Sequence, residues 1–67
     1  MFDKLDGARG VFVDPDTLLA GAWFGGTATN IFSTETGGEV DQINTMTPHE
    51  SYDSARRHFM RYARKEG

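Results

Sequence analysis

The chain has 67 residues and no cysteine, and its seven Lys and Arg against ten Asp and Glu give a formal net charge of −3. So short a chain buries only about 60% of its unfolded surface, and doubly wound nucleotide-binding folds and α/β barrels need far more residues. Because disulfides and thiolate zinc sites are also excluded, we expect one small domain, residues 1–67, that carries neither a metal nor a cofactor.

Hydrophobic side chains make up 37% of the chain and aromatic ones 12%, which is sufficient for a small folded core. The start of the sequence has neither the basic segment nor the apolar segment of a secretory signal. The longest nearly apolar stretch, residues 18–24, is far shorter than the roughly 20 residues that a membrane-spanning helix needs. We therefore expect a cytoplasmic protein that makes no membrane contact.

Four strand-forming segments alternate with turn-forming residues in the first two thirds of the chain. A leader of residues 1–9 precedes them, and three of its apolar side chains are expected to pack against the domain: Met1, Phe2 and Leu5. Asp-Pro and Gly-Gly turns between β-branched and aromatic runs predict strands over residues 10–13, 18–24, 27–34 and 40–46. The fourth segment stays ambiguous, because the three-residue spacing of Val40 and Ile43 also suits a helical turn.

The last third of the chain predicts one amphipathic helix over residues 48–65. Thr47 is expected to be its N-cap, with Pro48 in the first helical position and Glu50 completing a capping box. At about 100° per residue, one side of this helix carries an apolar stripe with Met60 at its edge. The stripe consists of Tyr52, Ala55, Phe59, Tyr62 and Ala63.

These elements predict an α+β fold in which a small antiparallel sheet of three to four strands packs against one C-terminal amphipathic helix, in the order β-β-β-β-α. The sheet region covers residues 10–46 and the helix region residues 47–66. Since a one-residue shift in register exchanges the two faces of a strand, the sheet buries either the following side chains or their neighbours. They are Val11, Val13, Leu19, Trp23, Ile31 and Ile43.

The sharpest local motif is an apolar strand that ends in Asp14-Pro15-Asp16-Thr17. It resembles the nucleophile motif of the haloacid dehalogenase phosphatases, in which the first Asp attacks phosphate and the second is the acid/base. The family's Thr falls one position later than Thr17, and its Rossmann-like scaffold is larger than this chain. We therefore interpret the segment as a solvated hairpin turn and expect no enzyme. A weak magnesium or calcium site on Asp14 and Asp16 is the alternative.

The two histidines offer no metal site in this reading. His49 and His58 are nine residues apart, which on one helix places them about 180° from each other. We therefore expect both to be surface residues that face opposite ways. The serines and glycines also lie outside the sequence contexts of nucleophilic serines and phosphate-binding loops.

Charge is distributed unevenly along the sequence. Residues 1–53 hold nine acidic and two basic side chains, a formal charge of −7, whereas residues 54–67 hold five basic and one acidic, a charge of +4. Three arginines lie within about 60° on the polar side of the predicted helix: Arg57, Arg61 and Arg64. This basic stripe could contact phosphates, although Asp53 is spaced to pair with Arg57.

Acidic residues concentrate at the first and third turns, which an up-and-down sheet places at the same end. They are Asp14, Asp16, Glu35, Glu39 and Asp41. Carboxylates clustered there would attract a basic protein surface, and Trp23 or Phe24 is a candidate aromatic anchor.

Two interpretations of function follow. The first is a non-enzymatic inhibitor or adaptor that binds a basic, nucleic-acid-handling protein and is similar in type to phage or mobile-element proteins such as anti-CRISPR proteins. The alternative is a small nucleic-acid-binding domain that uses the basic stripe of its helix. Pairing of an exposed strand edge could also produce a homodimer.

Overall fold

A computed structural model describes the backbone of residues 5–66 and the side chains of residues 5–65. Four antiparallel strands form one sheet in the order β1-β2-β3-β4, and a single helix follows them, which confirms the predicted β-β-β-β-α fold. The elements are β1 Gly10–Asp14, β2 Leu19–Trp23, β3 Ala28–Ser33, β4 Glu39–Asn44 and α1 Tyr52–Glu66. Within the described chain β1 and β4 are the sheet edges, and dimerisation through either stays a prediction.

The helix covers one face of the sheet, and the strand register decides which side chains it meets. Phe12 lies opposite Gly21, and Gly21 lies opposite Ile31, so these three positions share the helix face. The glycine is required by close packing, because a Cβ on Gly21 would lie 2.6 Å from Cδ1 of Phe59. The Phe59 ring therefore rests on the backbone of β2 and stacks on Phe12 at a ring-centroid distance of 5.6 Å.

The core between sheet and helix confirms most of the predicted helical stripe. Its buried residues are Phe12, Trp23, Ile31, Ala55, Phe59 and Ala63, with Leu19, Ile43, Met60 and Tyr62 partly buried around them. Tyr52 lies at the margin: its ring contacts Phe12 at 5.1 Å, but about half of the residue is exposed. Burying side chains of this size against the sheet is the main source of stability available to so small a domain.

For β1 the structure shows the second of the two predicted alternatives: the neighbours of Val11 and Val13 face the helix, and the two valines face away from it. The two valines are 42% and 58% exposed, whereas Gly10, Phe12 and Asp14 are buried. Steric space explains which face of β1 meets the helix. A Cβ on Gly10 would lie 2.8 Å from Cδ2 of Tyr52, so only glycine fits beneath that ring. The one-residue shift exchanges every side chain of the strand between faces.

The second face of the sheet has a smaller cluster of its own. Ala20, Ala22 and Phe32 are buried there, and Leu5 and Ala8 of the leader pack against them. This confirms the predicted docking of Leu5; the same expectation for Met1 and Phe2 lies outside the described residues. Small alanine side chains on β2 leave room for the leader to approach the sheet.

The helix begins at Tyr52, four residues later than predicted, so the capping role of Thr47, Pro48 and Glu50 is wrong. Ser51 is the N-cap, because its Oγ accepts a hydrogen bond from the Ser54 backbone N–H at 3.2 Å. Proline disfavours a helical conformation at the residue that precedes it, and the His49 N–H is engaged by the Gly26 carbonyl at 3.2 Å. The segment before Ser51 therefore runs across the sheet rather than into the helix.

The ambiguous fourth segment is a strand. Ile31 pairs with Asp41 but Phe32 pairs with Glu39, so a β-bulge places Val40 as an extra residue in β4. The bulge explains why Val40 and Ile43 do not alternate as in a regular strand. Gln42 Nε2 donates to Asn30 Oδ1 at 3.1 Å and joins β4 to β3 on the face away from the helix.

Within residues 5–66, no helix has the length and apolar character needed to cross a lipid bilayer.

Candidate acidic groove between two turns

The β1–β2 and β3–β4 turns lie side by side at one end of the sheet, as the meander topology requires. We call this end, the turn residues 15–18 and 34–38 together with Asp14 and residues 39–41 of the adjoining strands, the acidic turn end. A hydrogen bond from the Thr34 N–H to the Leu18 carbonyl, 3.0 Å long, joins the two turns. Leu18 has a φ of +58°, a left-handed conformation that is strained for a leucine and that the joined turns hold in place.

The β3–β4 turn is fixed by its own side chains. Ser33 Oγ accepts hydrogen bonds from the backbone N–H groups of Glu35 and Thr36, at 3.2 and 3.4 Å. Gly37 completes the turn with a φ of +79°, which favours glycine, and its N–H donates to the Ser33 carbonyl. This turn therefore holds the backbone from which the Glu35 side chain projects.

A groove of about 570 Å³ opens between the two turns, β4 and the helix. Its lining includes Thr17, Leu18, Glu35, Val40, Asp41 and Tyr62. Leu18 and Val40 are both exposed, so part of the wall is apolar and in contact with solvent. The groove thus combines apolar walls with two carboxylates, a lining able to take a side chain with an apolar stem and a cationic head.

Tyr62 and Asp41 form the polar part of this groove. The Tyr62 hydroxyl donates to Asp41 Oδ2 at 2.5 Å, and Asp41 Oδ1 accepts the Gln42 backbone N–H at 2.8 Å. The hydrogen bond from Tyr62 is the main reason that the pKa of Asp41 lies below its ordinary value, and the hydrogen bond from the Gln42 N–H lowers it further. Desolvation of the carboxylate acts in the opposite direction but is the smallest of the three effects. Asp41 therefore keeps its negative charge at neutral pH while the Tyr62 ring stands next to it.

The five predicted acidic residues do not share one environment. Asp16, Glu35, Glu39 and Asp41 are exposed, but Asp14 is only 5% exposed and its Oδ1 accepts the Asp16 backbone N–H at 3.1 Å. Residues 15–18 form the predicted turn, but the Asp14 carboxylate lies inside it and stabilises it; the predicted contact of Asp14 with a partner stays a prediction. Asp14 contributes to the site by positioning the loop that carries Leu18.

The predicted aromatic anchors lie at the opposite end of the sheet. Trp23 is 7% exposed in the core and its Nε1 donates to the Gly26 carbonyl at 3.2 Å, so it is not available to a partner. Phe24 follows β2 and is partly exposed, but it stands away from the acidic turns. The aromatic residue of the groove is Tyr62, which the sequence placed only in the core stripe. The sequence did carry a sign of this polar contact, because the hydroxyl of a tyrosine in a core stripe usually needs a hydrogen-bond partner.

The predicted basic stripe lies on the exposed side of the helix. The predicted pair of Asp53 and Arg57 is confirmed at 3.2 Å between Oδ2 and Nη2, and Arg61 and Arg64 are exposed. Because the helix runs toward the acidic turn end, its last turn with Arg64 and Lys65 follows the turn that holds Tyr62. Arg64 and Lys65 therefore come two and three residues after the residue that contacts Asp41.

The predicted separation of the histidines is wrong, because His49 precedes the helix. The His49 and His58 ring centroids are 4.6 Å apart, and His49 is 4% exposed with its Nε2 buried and without a hydrogen-bond partner. Burial and the neighbouring His58 lower the pKa of His49. The described part of the chain brings no third His, Cys, Asp or Glu close enough to complete a metal site.

The fold and the groove thus define a small α+β domain with an open groove at its acidic turn end. Comparison of the chain with protein-family models, with curated proteins and with solved structures gives no match in any of the three.

Proposed function

We propose that this protein is a non-catalytic binding module that presents its acidic turn end to a basic surface of a partner protein, as an inhibitor or adaptor. The observation that carries the proposal is the groove between the two turns. There, the ionised Asp41 and the exposed Glu35 stand beside the apolar walls of Leu18 and Val40. Carboxylates next to exposed apolar area are typical of a surface that a partner desolvates.

Electrostatics supports a basic partner. Residues 1–53 carry a formal charge of −7, and such a field accelerates association with a positively charged surface. Proteins that handle nucleic acid have such surfaces, since they neutralise phosphates with Lys and Arg. An acidic module bound there would exclude the nucleic acid, the mode of action we propose for an inhibitor of the phage or mobile-element type.

Catalysis is not part of the proposal. Asp14 would have to attack a substrate in a phosphatase-like role, but its carboxylate is buried and accepts the Asp16 N–H. We assign Asp14 to the turn for that reason. Nucleic-acid binding through Arg57, Arg61 and Arg64 is the alternative function, and the experiment below separates the two.

The test is fluorescence anisotropy of two labelled probes, an octapeptide of alternating lysine and arginine and a short DNA duplex, titrated at low salt. We expect the peptide to bind and Glu35→Lys to weaken it strongly, because the substitution reverses one charge at the groove. Glu50→Lys is the matched control, since it makes the same charge change at an exposed residue just before the helix.

Two results would contradict the proposal. One is that Glu35→Lys and Glu50→Lys weaken peptide binding equally, which would show that binding depends on the net charge of the chain and not on the groove. The other is binding of the duplex that Arg61→Glu abolishes, which would establish the nucleic-acid alternative.

A further inference from the structure

We infer that the groove of the acidic turn end binds one arginine side chain of the partner, with its guanidinium between Asp41 and Glu35 and against the Tyr62 ring. This inference rests on the proposed function and names the group that the site recognises. Negative charge alone does not describe this groove, because part of its wall is apolar and its carboxylates are few.

The shape of the site favours a long side chain with a cationic end. Leu18 and Val40 leave apolar surface exposed along the groove, which a chain of methylene groups can cover. A purely apolar side chain would desolvate Asp41 without pairing it, which is unfavourable for an ionised group. An acidic side chain or a phosphate would be repelled by Asp41 and Glu35. Lysine and arginine remain.

The hydrogen bonds at Asp41 favour arginine over lysine. Each oxygen of that carboxylate already accepts one bond, Oδ2 from the Tyr62 hydroxyl and Oδ1 from the Gln42 N–H. A carboxylate oxygen has two acceptor positions, so each retains one in the plane of the group. A planar guanidinium has five donors in a fixed arrangement, so it can pair with Asp41 and Glu35 at the same time, whereas an ammonium is a point charge.

Tyr62 adds a second reason. Its ring lines the groove next to the carboxylate that its hydroxyl holds, and a guanidinium stacks on an aromatic face while it pairs with an acid. Guanidinium is also more weakly hydrated than ammonium, so its transfer into a partly apolar groove is less unfavourable. Both the stacking and the weaker hydration favour arginine over lysine.

The groove is formed before any ligand arrives. The Thr34–Leu18 hydrogen bond joins the two turns, and the two bonds accepted by Ser33 Oγ fix the loop of Glu35. The left-handed φ of Leu18 shows that this arrangement overrides the local preference of the chain. A preformed site loses little conformational entropy on binding, which makes recognition of a single side chain feasible.

The experiment titrates the ¹⁵N-labelled full chain with three pentapeptides that have glycine at the other positions and arginine, lysine or citrulline in the centre. Citrulline keeps the shape of arginine without its charge. We expect arginine to bind roughly two- to fivefold more tightly than lysine. Citrulline should bind the most weakly. Shifts should appear at the amides of residues 17–19 and 33–42.

Two variants test the assigned contacts. Asp41→Asn removes the charge and should abolish the preference for arginine over lysine. Tyr62→Phe keeps the ring but removes the hydroxyl, so it should retain part of the preference. Glu50→Gln is the control and should leave both affinities unchanged. A circular-dichroism melt of each variant verifies folding. Asp41 is exposed and Tyr62→Phe keeps the partly buried ring, so both variants are expected to fold.

The outcomes distinguish this inference from the function on which it rests. Equal binding of arginine and lysine in the groove, with Asp41→Asn weakening both, would overturn the arginine preference and leave the acidic module standing. Citrulline binding as tightly as arginine, or shifts that avoid the groove with every peptide, would overturn both.

Discussion

The two ends of the sheet use polar groups in opposite ways. At the end where the helix begins, Trp23 Nε1 donates to the Gly26 carbonyl, and His49 contacts His58 and retains a buried nitrogen without a hydrogen-bond partner. At the acidic turn end, Glu35 and Asp41 face outward around an open groove. The first end fixes the helix to the sheet, and the second leaves charge available. Stability and binding are therefore expected to respond to different substitutions.

The helix connects these two ends. It starts beside His49 and reaches Asp41 through Tyr62, and its basic last turn with Arg64 and Lys65 comes next. The net charge of −3 is the sum of −7 over residues 1–53 and +4 over residues 54–67.

The largest expected effect is on the core that lies between the two ends. Phe59→Ala removes a fully buried ring that packs on Gly21 and Phe12, which should cost about 3–5 kcal/mol and unfold the domain. Thermal melting followed by circular dichroism measures this. Met60→Ala, a truncation at the edge of the core, should cost less. A Phe59→Ala variant that melts like the native chain would contradict the orientation of the helix.

A smaller effect is expected from adding a methyl group instead of removing a ring. Gly21→Ala places a Cβ 2.6 Å from Phe59 Cδ1, and overpacking of this kind costs about 1–3 kcal/mol. Urea denaturation gives the free energy of unfolding. Gly26→Ala is the matched control, because no atom lies within 4 Å of its added Cβ. If the two alanines have the same effect, the close contact between helix and sheet is absent.

The histidine end should make stability depend on pH. Burial and the neighbouring His58 lower the pKa of His49 in the folded chain, so the unfolded chain binds the proton more readily. Stability is then complete above the unfolded pKa of about 6.5 and decreases as pH falls toward the lower folded value. Chemical denaturation at a series of pH values measures how the free energy of unfolding changes with pH. The series runs from pH 7.5 to 5, roughly the titration range of histidine.

His49→Phe should flatten that dependence, because it removes the titrating group and keeps an aromatic ring against Trp23. His58→Gln should flatten it partly, since the second cause of the lowered pKa disappears. Stability that rises on acidification would show that His49 is stabilised in its charged form, contrary to the structure.

The smallest expected effect is at the acidic turn end. Tyr62→Phe removes the hydroxyl that holds the pKa of Asp41 down, so this pKa should rise toward its ordinary value. The stabilisation from this bond is present above the unfolded carboxyl pKa and is lost as pH falls through the lower folded value. Carbon-detected NMR titration of the Asp41 carboxyl follows the change. Tyr52→Phe, at the other end of the helix, should leave it unmoved.

Much of the fold could be predicted from local patterns. Turn residues delimit all four strands to within two residues, and the 3.6-residue period identifies Ala55, Phe59 and Ala63 as the buried side of the helix. These features depend on residues that are close to one another in the sequence. The face of β1 could not be predicted in this way, because it depends on the space that Gly10 leaves beneath Tyr52.

The candidate site was predictable only in part. Up-and-down topology brings Asp16, Glu35 and Asp41 to one end, which the order of strands implies. The burial of Asp14 depends on which face β1 presents to the helix. The contact of His49 with His58 depends on where the helix begins, and Pro48 suggested too early a start. The groove itself arises from tertiary contacts between the two turns and Tyr62, which no spacing in the sequence encodes.

The most direct test of the account is to map where a basic ligand binds. An NMR titration of the ¹⁵N-labelled chain with the alternating lysine–arginine octapeptide reports every backbone amide in one experiment. We expect saturating shifts confined to residues 15–19 and 33–42, and their loss in Glu35→Lys but not in Glu50→Lys. Shifts centred on residues 45–50, or spread evenly over the surface without saturation, would contradict it.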